Sequence, residues 1–357
     1  MPKVRLSGTI FGSKDPNREI RARILYHLFA TGWDIDNSNG DQRITLNNIE
    51  ATIIESDAFV FMPGAEMDDL FKAISIFVGY QTLDPNLSNK ATVIMNSDAS
   101  WNPLFDLFND LERLGTIRQN YRKFLLPADS PDEVVSQLER VAAEGVPDPG
   151  RSMHGHGTQG ESFETPLPKD NRGNVCVFCS ASIEDTDYLN DGYKLGKQIA
   201  ESGFGCVSGA GTTGVMGTVV QGSVEAGGWT GGSNVPHIIE IEGLPNGLSS
   251  FWLKPDIYTR MEIMIERSDA FIIFPGGAGT VQEMLALLIF KQMDHELMRG
   301  KPIVIFNRTN PDGETRFWDK LVEMLVPWQS EQLFTVVNDL DQLMPEIESM
   351  LESVPSC

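Results

Sequence analysis

The sequence predicts an α/β fold in which a Rossmann-like parallel sheet flanked by helices occurs twice, as a tandem duplication. Ser56–Gly64 aligns without a gap on Ser268–Gly276, and both segments are short apolar runs that end in Pro-Gly. Further along, Lys90–Asn96 matches Lys301–Asn307, and each is followed by a tryptophan that opens a helical pattern. Short, continuously apolar runs are typical of strands buried in a parallel sheet. Two copies of one unit are therefore expected.

The expected organisation has three parts. Residues 1–142 form a degenerate copy, 143–173 a linker and 174–357 the catalytic copy. The linker prediction rests on its richness in Gly, Pro, Ser and Asp and its lack of hydrophobic periodicity. His154 and His156 lie within it, and we expect a solvated pair there rather than a metal site.

The first copy lacks the residues that would carry chemistry. After Pro63-Gly64 it has no second glycine, and Phe71 and Asn48 stand where the second copy has an acid and an arginine. Asp68 and Asp69 at the start of its helix would repel a phosphate. We expect this copy to keep the fold without the activity, as a packing partner, an internal dimer mate or the holder of a regulator.

Composition is that of a globular protein, with 357 residues, 41% hydrophobic and 22% charged. The net charge of −22 argues against nonspecific nucleic-acid binding, which needs a basic surface. No apolar run is long enough to span a membrane and no signal-peptide core is present, so we expect a cytoplasmic protein. Cys176 and Cys179 fall on a predicted strand and point to opposite faces, which favours core thiols over a metal site.

The second copy opens with the strand Val175–Phe178, which ends near Ser180, and a helix from about Tyr188 to Ser202. The next strand, Gly205–Ser208, leads into a G-x-G-x-x-G loop at residues 209–214. Such a loop between a strand and a helix often binds a dinucleotide. Here the loop follows the second strand, and no acidic residue closes a third strand about 20 residues on, so the dinucleotide interpretation is weakened.

A second glycine turn follows the strand Ala270–Phe274, at residues 275–280. The sequence predicts a helix over Val281–Phe290, with Glu283 on its first turn. Glycines allow close backbone approach, and the first N–H groups of a helix are free to bind an anion. The segment therefore predicts a phosphate site with a carboxylate beside it. Residues 239–252 show no clear pattern and could form a flap, from which Phe251 or Trp252 would stack on a base.

The motif Pro-Gly-Gly-x-Gly-Thr-x-x-Glu at residues 275–283 resembles the signature of the LOG (Lonely Guy) family of phosphoribohydrolases, often mislabelled lysine decarboxylases. Arg260 and Met264 fall at the family's upstream Arg and Met positions, while Met261 departs from its Lys. Gly-Val-Met-Gly at residues 214–217 is similar to the family's first motif, in which Ala210 replaces the middle glycine. The resemblance covers roughly residues 174–351.

The resemblance implies hydrolysis of the N-glycosidic bond of nucleoside 5′-monophosphates to free base and ribose 5-phosphate. It assigns catalysis to Arg260 and Glu283. The residues expected to contact phosphate or nucleotide are Ser180, Gly209, Gly211, Thr212, Gly214, Met216, Gly217, Asn234, Gly276, Gly277, Gly279 and Thr280. No metal or other cofactor is expected, and the expected assembly is at least a homodimer with no nucleic-acid or membrane partner.

The alternative is a non-catalytic protein that binds or carries a nucleotide or a phosphorylated cofactor, as molybdenum-cofactor carriers do with a similar fold. The pairing of Arg260 with Glu283 favours the enzyme. The motifs do not distinguish cytokinin nucleotides from ordinary purine or pyrimidine nucleotides, and the duplication and Met261 favour a broad nucleosidase.

Overall fold

The structure is a computed structural model that describes residues 2–7, 17–36, 54–148 and 160–353. The chain divides into two compact units, Met1–Arg151 and Ser152–Cys357. His154, His156 and Asn48 lie outside the described residues. Within the described ranges, no helix has both the length and the apolar character needed to cross a membrane.

The first unit contains a five-stranded parallel sheet with the order β2-β1-β3-β4-β5. Its strands are β1 (Lys3–Ser7), β2 (Asp34–Asp36), β3 (Ala58–Phe61), β4 (Ala91–Met95) and β5 (Leu125–Ala128). Its helices are α1 (Arg18–Ala30), α2 (Met67–Gln81), α3 (Asn102–Arg113) and α4 (Pro131–Glu144). β3 and β4 are buried at every position, as strands covered by helices on both faces must be.

The second unit contains a seven-stranded parallel sheet with the order β12-β11-β10-β6-β7-β8-β9. Its strands are β6 (Asn174–Phe178), β7 (Gly205–Ser208), β8 (Thr230–Asn234), β9 (Ser250–Leu253), β10 (Ala270–Ile273), β11 (Ile303–Phe306) and β12 (Thr335–Val337). Its helices are α5 (Thr186–Glu201), α6 (Gly214–Glu225), α7 (Pro236–Glu242), α8 (Ile257–Glu266), α9 (Ala278–Gln292), α10 (Asp319–Leu325) and α11 (Leu343–Glu352). The predicted fold class, two parallel sheets flanked by helices, is confirmed.

The two sheets share a strand order, because β2-β1-β3-β4-β5 corresponds to β7-β6-β10-β11-β12. The equivalence extends to side chains. The asparagine after β4, Asn96, accepts a hydrogen bond from the backbone of Trp101 at 2.9 Å, and Asn307 after β11 does the same for Trp318 at 2.7 Å. Both tryptophans are fully buried. These matches are compatible with the tandem duplication that the sequence predicts.

The predicted linker differs from the structure at both ends. Residues 143 and 144 belong to α4, which ends at Glu144. Residues 160–165, which we call the strap, lie along the edge strand β9. The backbones of Phe163 and Phe251 exchange two hydrogen bonds, of 2.9 and 2.8 Å, in an antiparallel bridge. Composition alone did not reveal this pairing, because one bridge needs no alternating pattern.

Candidate functional site

The candidate site lies at the carboxyl ends of β6, β7, β8 and β10, the edge at which open α/β sheets bind ligands. Ser180 joins the two glycine segments there. Its backbone N–H donates to Pro275 O at 3.0 Å, and its carbonyl accepts from Met216 N at 2.9 Å. The loops at residues 209–217 and 275–280, far apart in sequence, are thus held side by side as the motifs predicted.

The loop after β7 turns tightly and requires its glycines. Gly214 has φ +59°, and a methyl group there would lie 2.6 Å from the carbonyl carbon of Ala181. A methyl group at Gly217 would lie 2.2 Å from Thr212 O. Gly211 N–H donates to the Met216 sulfur at 3.1 Å. The loop is therefore stabilised from within, and α6 begins directly from it.

The turn after β10 is itself the first turn of α9. Gly277 is the N-cap residue and the helix begins at Ala278, so Thr280 lies inside the helix and Glu283 lies beyond its first turn. The expected helix start at Val281 was wrong, because the small residues there adopt helical geometry. Within the part of the chain that the structure describes, no side chain caps this helix start. Its N–H groups are suited to an anion.

Gly279 gives a test of this anion site. Apart from its chain neighbours and the backbone of its own helix, a methyl group added there would have no described heavy atom within 4 Å, and alanine favours a helix more than glycine does. We expect Gly279→Ala to leave the melting temperature unchanged or to raise it. Gly279 lies in the first turn, whose N–H groups would hold a phosphate, so added bulk there should raise the KM for a phosphorylated substrate about tenfold. Thermal melts and steady-state kinetics measure both quantities, and an unchanged KM would exclude this turn as the phosphate site.

Arg260 reaches the site from α8, whose start is capped by the Asp256 carboxylate through the N–H groups of Tyr258 and Thr259. Only 8% of Arg260 is exposed. Its Nε donates to Ser233 O at 2.9 Å and its Nη2 to Gly209 O at 3.4 Å. A methyl group at Gly209 would lie 2.1 Å from that Nη2. The guanidinium is thus fixed by two backbone carbonyls, that of Ser233 in β8 and that of Gly209 in the glycine loop.

Glu283 faces Arg260 from α9, with its Oε1 3.9 Å from Arg260 Nη1. Only 7% of Glu283 is exposed. Burial raises the pKa of Glu283 to about 7, although Arg260 opposes the rise; the nearby Glu242 carboxyl adds to it. Arg260 and Glu283, predicted from motifs that are apart in the sequence, are therefore close together in the fold. A pKa of about 7 would suit the Glu283 carboxyl to acid–base catalysis at neutral pH.

The structure adds Glu242, a residue that the sequence reasoning missed. It is the last residue of α7, and its backbone carbonyl accepts hydrogen bonds from the N–H and the hydroxyl of Thr212. Its Oε2 lies 2.6 Å from the position of a methyl group on Gly211, and it is buried with no hydrogen-bond partner among the described residues. Burial raises the pKa of Glu242 to about 7, against the opposing charge of Arg260.

Glu242 had almost no signal in the sequence. It lies in a segment without periodicity, and the one indication is the glycine that follows it. Gly243 has φ +73° and ends the helix that carries this carboxylate. The two carboxyls, Glu242 and Glu283, thus approach a single guanidinium.

Three residues that were predicted to contact the ligand form hydrogen bonds within the protein. The Ser180 hydroxyl accepts from the N–H groups of Ser182 and Ile183 at 2.9 and 3.2 Å. Asn234 is fully buried, and its Oδ1 accepts from Val235 N at 2.9 Å. Its Nδ2 has no partner in the described ranges. Thr212 lies in the loop at residues 209–217, and its hydroxyl donates a hydrogen bond to the Glu242 carbonyl. This bond connects the loop to the end of α7.

The expectation that Phe251 or Trp252 stacks on a base does not agree with the structure. Phe251 is fully buried and packs with Ala210 and Ile239. Trp252 packs instead near Trp229, at a centroid distance of 6.3 Å. Cys176 and Cys179 are both buried, as expected of core thiols.

In the first unit, the turn equivalent to residues 275–280 is closed from within. The Ser100 hydroxyl accepts from Gly64 N at 2.8 Å and from Ala65 N at 3.2 Å, the N–H groups that would face an anion. Asp69 follows on α2, where it accepts from the Ser7 hydroxyl at 2.8 Å, and burial raises its pKa. Because the N–H groups of this turn already have a hydrogen-bond partner, the arrangement supports the prediction that the first copy does not bind phosphate.

Comparisons with known proteins place the second unit in a family. Residues 216–353 match the family model described as "Possible lysine decarboxylase". A cytokinin riboside 5′-monophosphate phosphoribohydrolase of Rhodococcoides fascians is 32% identical over 144 residues, which are 40% of this chain and 69% of that protein. A probable enzyme of the same name from Oryza sativa subsp. japonica is 29% identical, over 39% of this chain and 62% of the relative, so the match spans less than two thirds of its length.

Among solved structures, the molybdenum cofactor carrier protein of Chlamydomonas reinhardtii is 21% identical, with a TM-score of 0.39 over 50% of this chain and 98% of that one. The chain belongs to the LOG family, whose curated members carry the name cytokinin riboside 5′-monophosphate phosphoribohydrolase.

Proposed function

We propose that the second unit hydrolyses the N-glycosidic bond of nucleoside 5′-monophosphates, with residues 174–357 as the catalytic domain and residues 1–142 as a non-catalytic copy. The observation that carries the proposal is the group formed by Arg260, Glu283 and Glu242 beside two glycine turns, in which Arg260 and Glu283 are buried and Glu242 is half-buried with its Oε2 enclosed. The names of the relatives support a phosphorylated riboside as the substrate.

The phosphate would bind at the start of α9, where backbone N–H groups of residues 278–280 are uncapped by any side chain in the described structure. Backbone N–H groups bind a phosphate without a nearby lysine, since the helix dipole adds to them. This location would hold the ribose between that helix start and the loop at residues 209–217.

Cleavage passes through an oxocarbenium-like state in which C1′ gains positive charge and the base leaves with the bonding electrons. One ionised carboxyl of the pair would stabilise that charge and accept a proton from the attacking water. The other, protonated, would donate a proton to the departing base. Because both carboxyls have a pKa raised to about 7 and share Arg260, one proton between them is the expected state near neutral pH.

Glu283 is the better candidate for the ionised member, because it forms the ion pair with Arg260, and Glu242 for the proton donor. We expect kcat to follow a bell-shaped pH profile with its maximum near pH 7. Its acid limb should lie well above the ordinary glutamate pKa of about 4.5, because burial favours the protonated form. A rate profile between pH 4 and pH 10 measures this, and a flat rate down to pH 5 would contradict the proposal.

The direct test is incubation with AMP, GMP, CMP, UMP and a cytokinin riboside 5′-monophosphate, followed by chromatography of the free base. Release of base from at least one substrate by the wild type, and not by Glu283→Gln, supports the enzyme and identifies its preferred base. We favour a broad nucleosidase over an enzyme restricted to cytokinins. If all five nucleotides remain intact while one raises the melting temperature, the site is a binding pocket and the carrier alternative holds.

Lysine decarboxylation, which the family model's description mentions, is a poor fit to this site. That reaction uses a lysine Schiff base with pyridoxal phosphate. Between Gly209 and Met284 the sequence has one lysine, Lys254, and it lies outside both glycine turns.

A further inference from the structure

The strap, residues 160–165, is bound to β9 by more than its single bridge. Leu253 N–H donates to the Ser162 hydroxyl at 2.9 Å, and Thr165 N–H donates to the Ser250 hydroxyl at 2.9 Å. Glu164 accepts from the Trp252 indole N–H, and its carboxylate lies 3.1 Å from Arg267 Nη2. Every residue of β9 therefore has a backbone or side-chain bond to the strap.

β9 in turn supports the helix that carries Glu242. On the inner side of this strand Phe251 packs with Ile239 of α7 and Ala210 of the glycine loop, and Leu244, Leu248 and Leu253 border this cluster. Gly160 of the strap packs directly against the cluster, since a methyl group there would lie 2.9 Å from Leu244 and 3.0 Å from Phe251. A continuous packed path thus runs from the strap to the residue before Gly243.

The packed path ends at Glu242, which we propose as the proton donor. The Glu242 carbonyl accepts hydrogen bonds from Thr212, and the carboxyl oxygen Oε2 is buried against Gly211. α7 has only seven residues, and a helix this short depends on packing for its stability, which Ile239 provides through the cluster beneath it.

We propose that the strap is a positioning element of the active site, which holds α7 over the glycine loop and so places Glu242 beside Arg260. This inference rests on the proposed function. It assigns a catalytic dependence to a segment that lies outside the 216–353 family match.

Loosening the strap should hydrate Glu242. The charged and titratable groups that face Glu242 are Arg260 from α8, Glu283 from α9 and the Cys179 thiol after β6. None of these lies on the strap or on β9, so the strap acts on Glu242 through burial alone. With water admitted, the pKa of Glu242 should fall from about 7 toward its ordinary value. The basic limb of the pH profile, set by the proton donor, would then move to lower pH.

The test compares Phe163→Pro with Phe163→Ala in the full chain. Both lose the ring, which is 45% exposed, but only proline loses the N–H that donates to Phe251. Hydrogen exchange of residues 209–217 reports on the loop directly, because Thr212 N–H donates to Glu242 O at 3.0 Å. For Phe163→Pro we expect exchange there to accelerate at least tenfold, roughly tenfold lower kcat with a smaller change in KM, and a basic limb lower by about half a pH unit.

Phe163→Ala should change each quantity by less than about threefold, since it retains the bridge. If Phe163→Pro does not fold, Glu164→Ala gives the same readouts, with Glu161→Gln on the same exposed segment as the control. The proposal is overturned if the folded variants exchange residues 209–217 at the wild-type rate, or if kcat falls with no shift of the basic limb. A wild type that releases no base refutes the proposed function instead, and the exchange comparison still decides whether the strap holds α7.

Discussion

Glu283→Gln is expected to lower the rate of base release by about 10³-fold while the protein stays folded. The amide keeps the shape of the carboxyl but can neither accept a proton from water nor carry the negative charge that an oxocarbenium ion requires. KM should change little, because in our proposal the phosphate is bound at the start of α9 and not by this side chain. Steady-state kinetics with the preferred nucleotide measure both constants.

The same substitution should stabilise the protein above neutral pH. A buried carboxyl whose folded pKa is about 7 and whose unfolded pKa is about 4.5 favours folding when protonated. Its contribution is therefore complete below about pH 4.5 and is lost as the pH rises toward 7. At pH 8 the glutamine, which stays neutral, should raise the free energy of unfolding by at most about 3 kcal/mol.

Glu266→Gln is the matched control, since Glu266 is an exposed carboxylate on α8 and should affect neither quantity. Chemical denaturation of the three proteins at pH 5 and pH 8 separates the effects. A Glu283→Gln variant that is less stable than the wild type at pH 8 would mean that the ion pair with Arg260 is structural.

Arg260→Met is expected to lower activity at pH 7 by more than about 100-fold and to move the acid limb of the pH profile upward. The guanidinium charge is what opposes the effect of burial on both carboxyls. Without it the pKa of each rises further, so that both are protonated at pH 7 and no carboxylate remains to assist water. Part of the lost activity should return as the pH is raised toward 9.

A cost in stability accompanies this variant. Two buried carbonyls, Ser233 O and Gly209 O, lose their donor, which costs about 1 to 3 kcal/mol. Arg299→Met serves as the control, because that arginine is exposed and pairs with Asp294. An acid limb that stays in place in Arg260→Met would show that this arginine does not govern the ionisation of the carboxyls.

Much of the site could be predicted from residues alone. The glycine turns could be predicted because a positive φ or a close approach of two backbone segments restricts the residue type largely to glycine. Their position could be predicted because each follows an apolar strand and precedes a helix. Arg260 and Glu283 followed from the family motif, and the structure places them 3.9 Å apart. The start of α9 was misplaced by three residues, since glycines before a helix and glycines in its first turn look alike.

What escaped prediction shares one cause, dependence on tertiary packing. Glu242 is catalytic in our proposal because its Oε2 is buried near the charge of Arg260, and burial of one carboxyl oxygen has no local sequence pattern. The strap was assigned to a linker because the surrounding segment is rich in Gly, Pro, Ser and Asp and has no hydrophobic periodicity, whereas its conformation is set by pairing with β9. Phe251 was expected to contact a ligand but lies in the core. β9 has only four residues, and the alternation of side chains over so short a strand does not show which face is buried.

The strap also bears on how the second unit behaves when it is made alone. β9 is the last strand of its sheet, and the bridge at Phe163 is what covers its outer side among the described residues. Uncovered edge strands pair with those of other molecules and promote aggregation. A fragment that starts at Asn174, at the beginning of the family resemblance, would expose this edge. One that starts before Gly160 would keep it covered, and so is the fragment to express for crystals or for solution work.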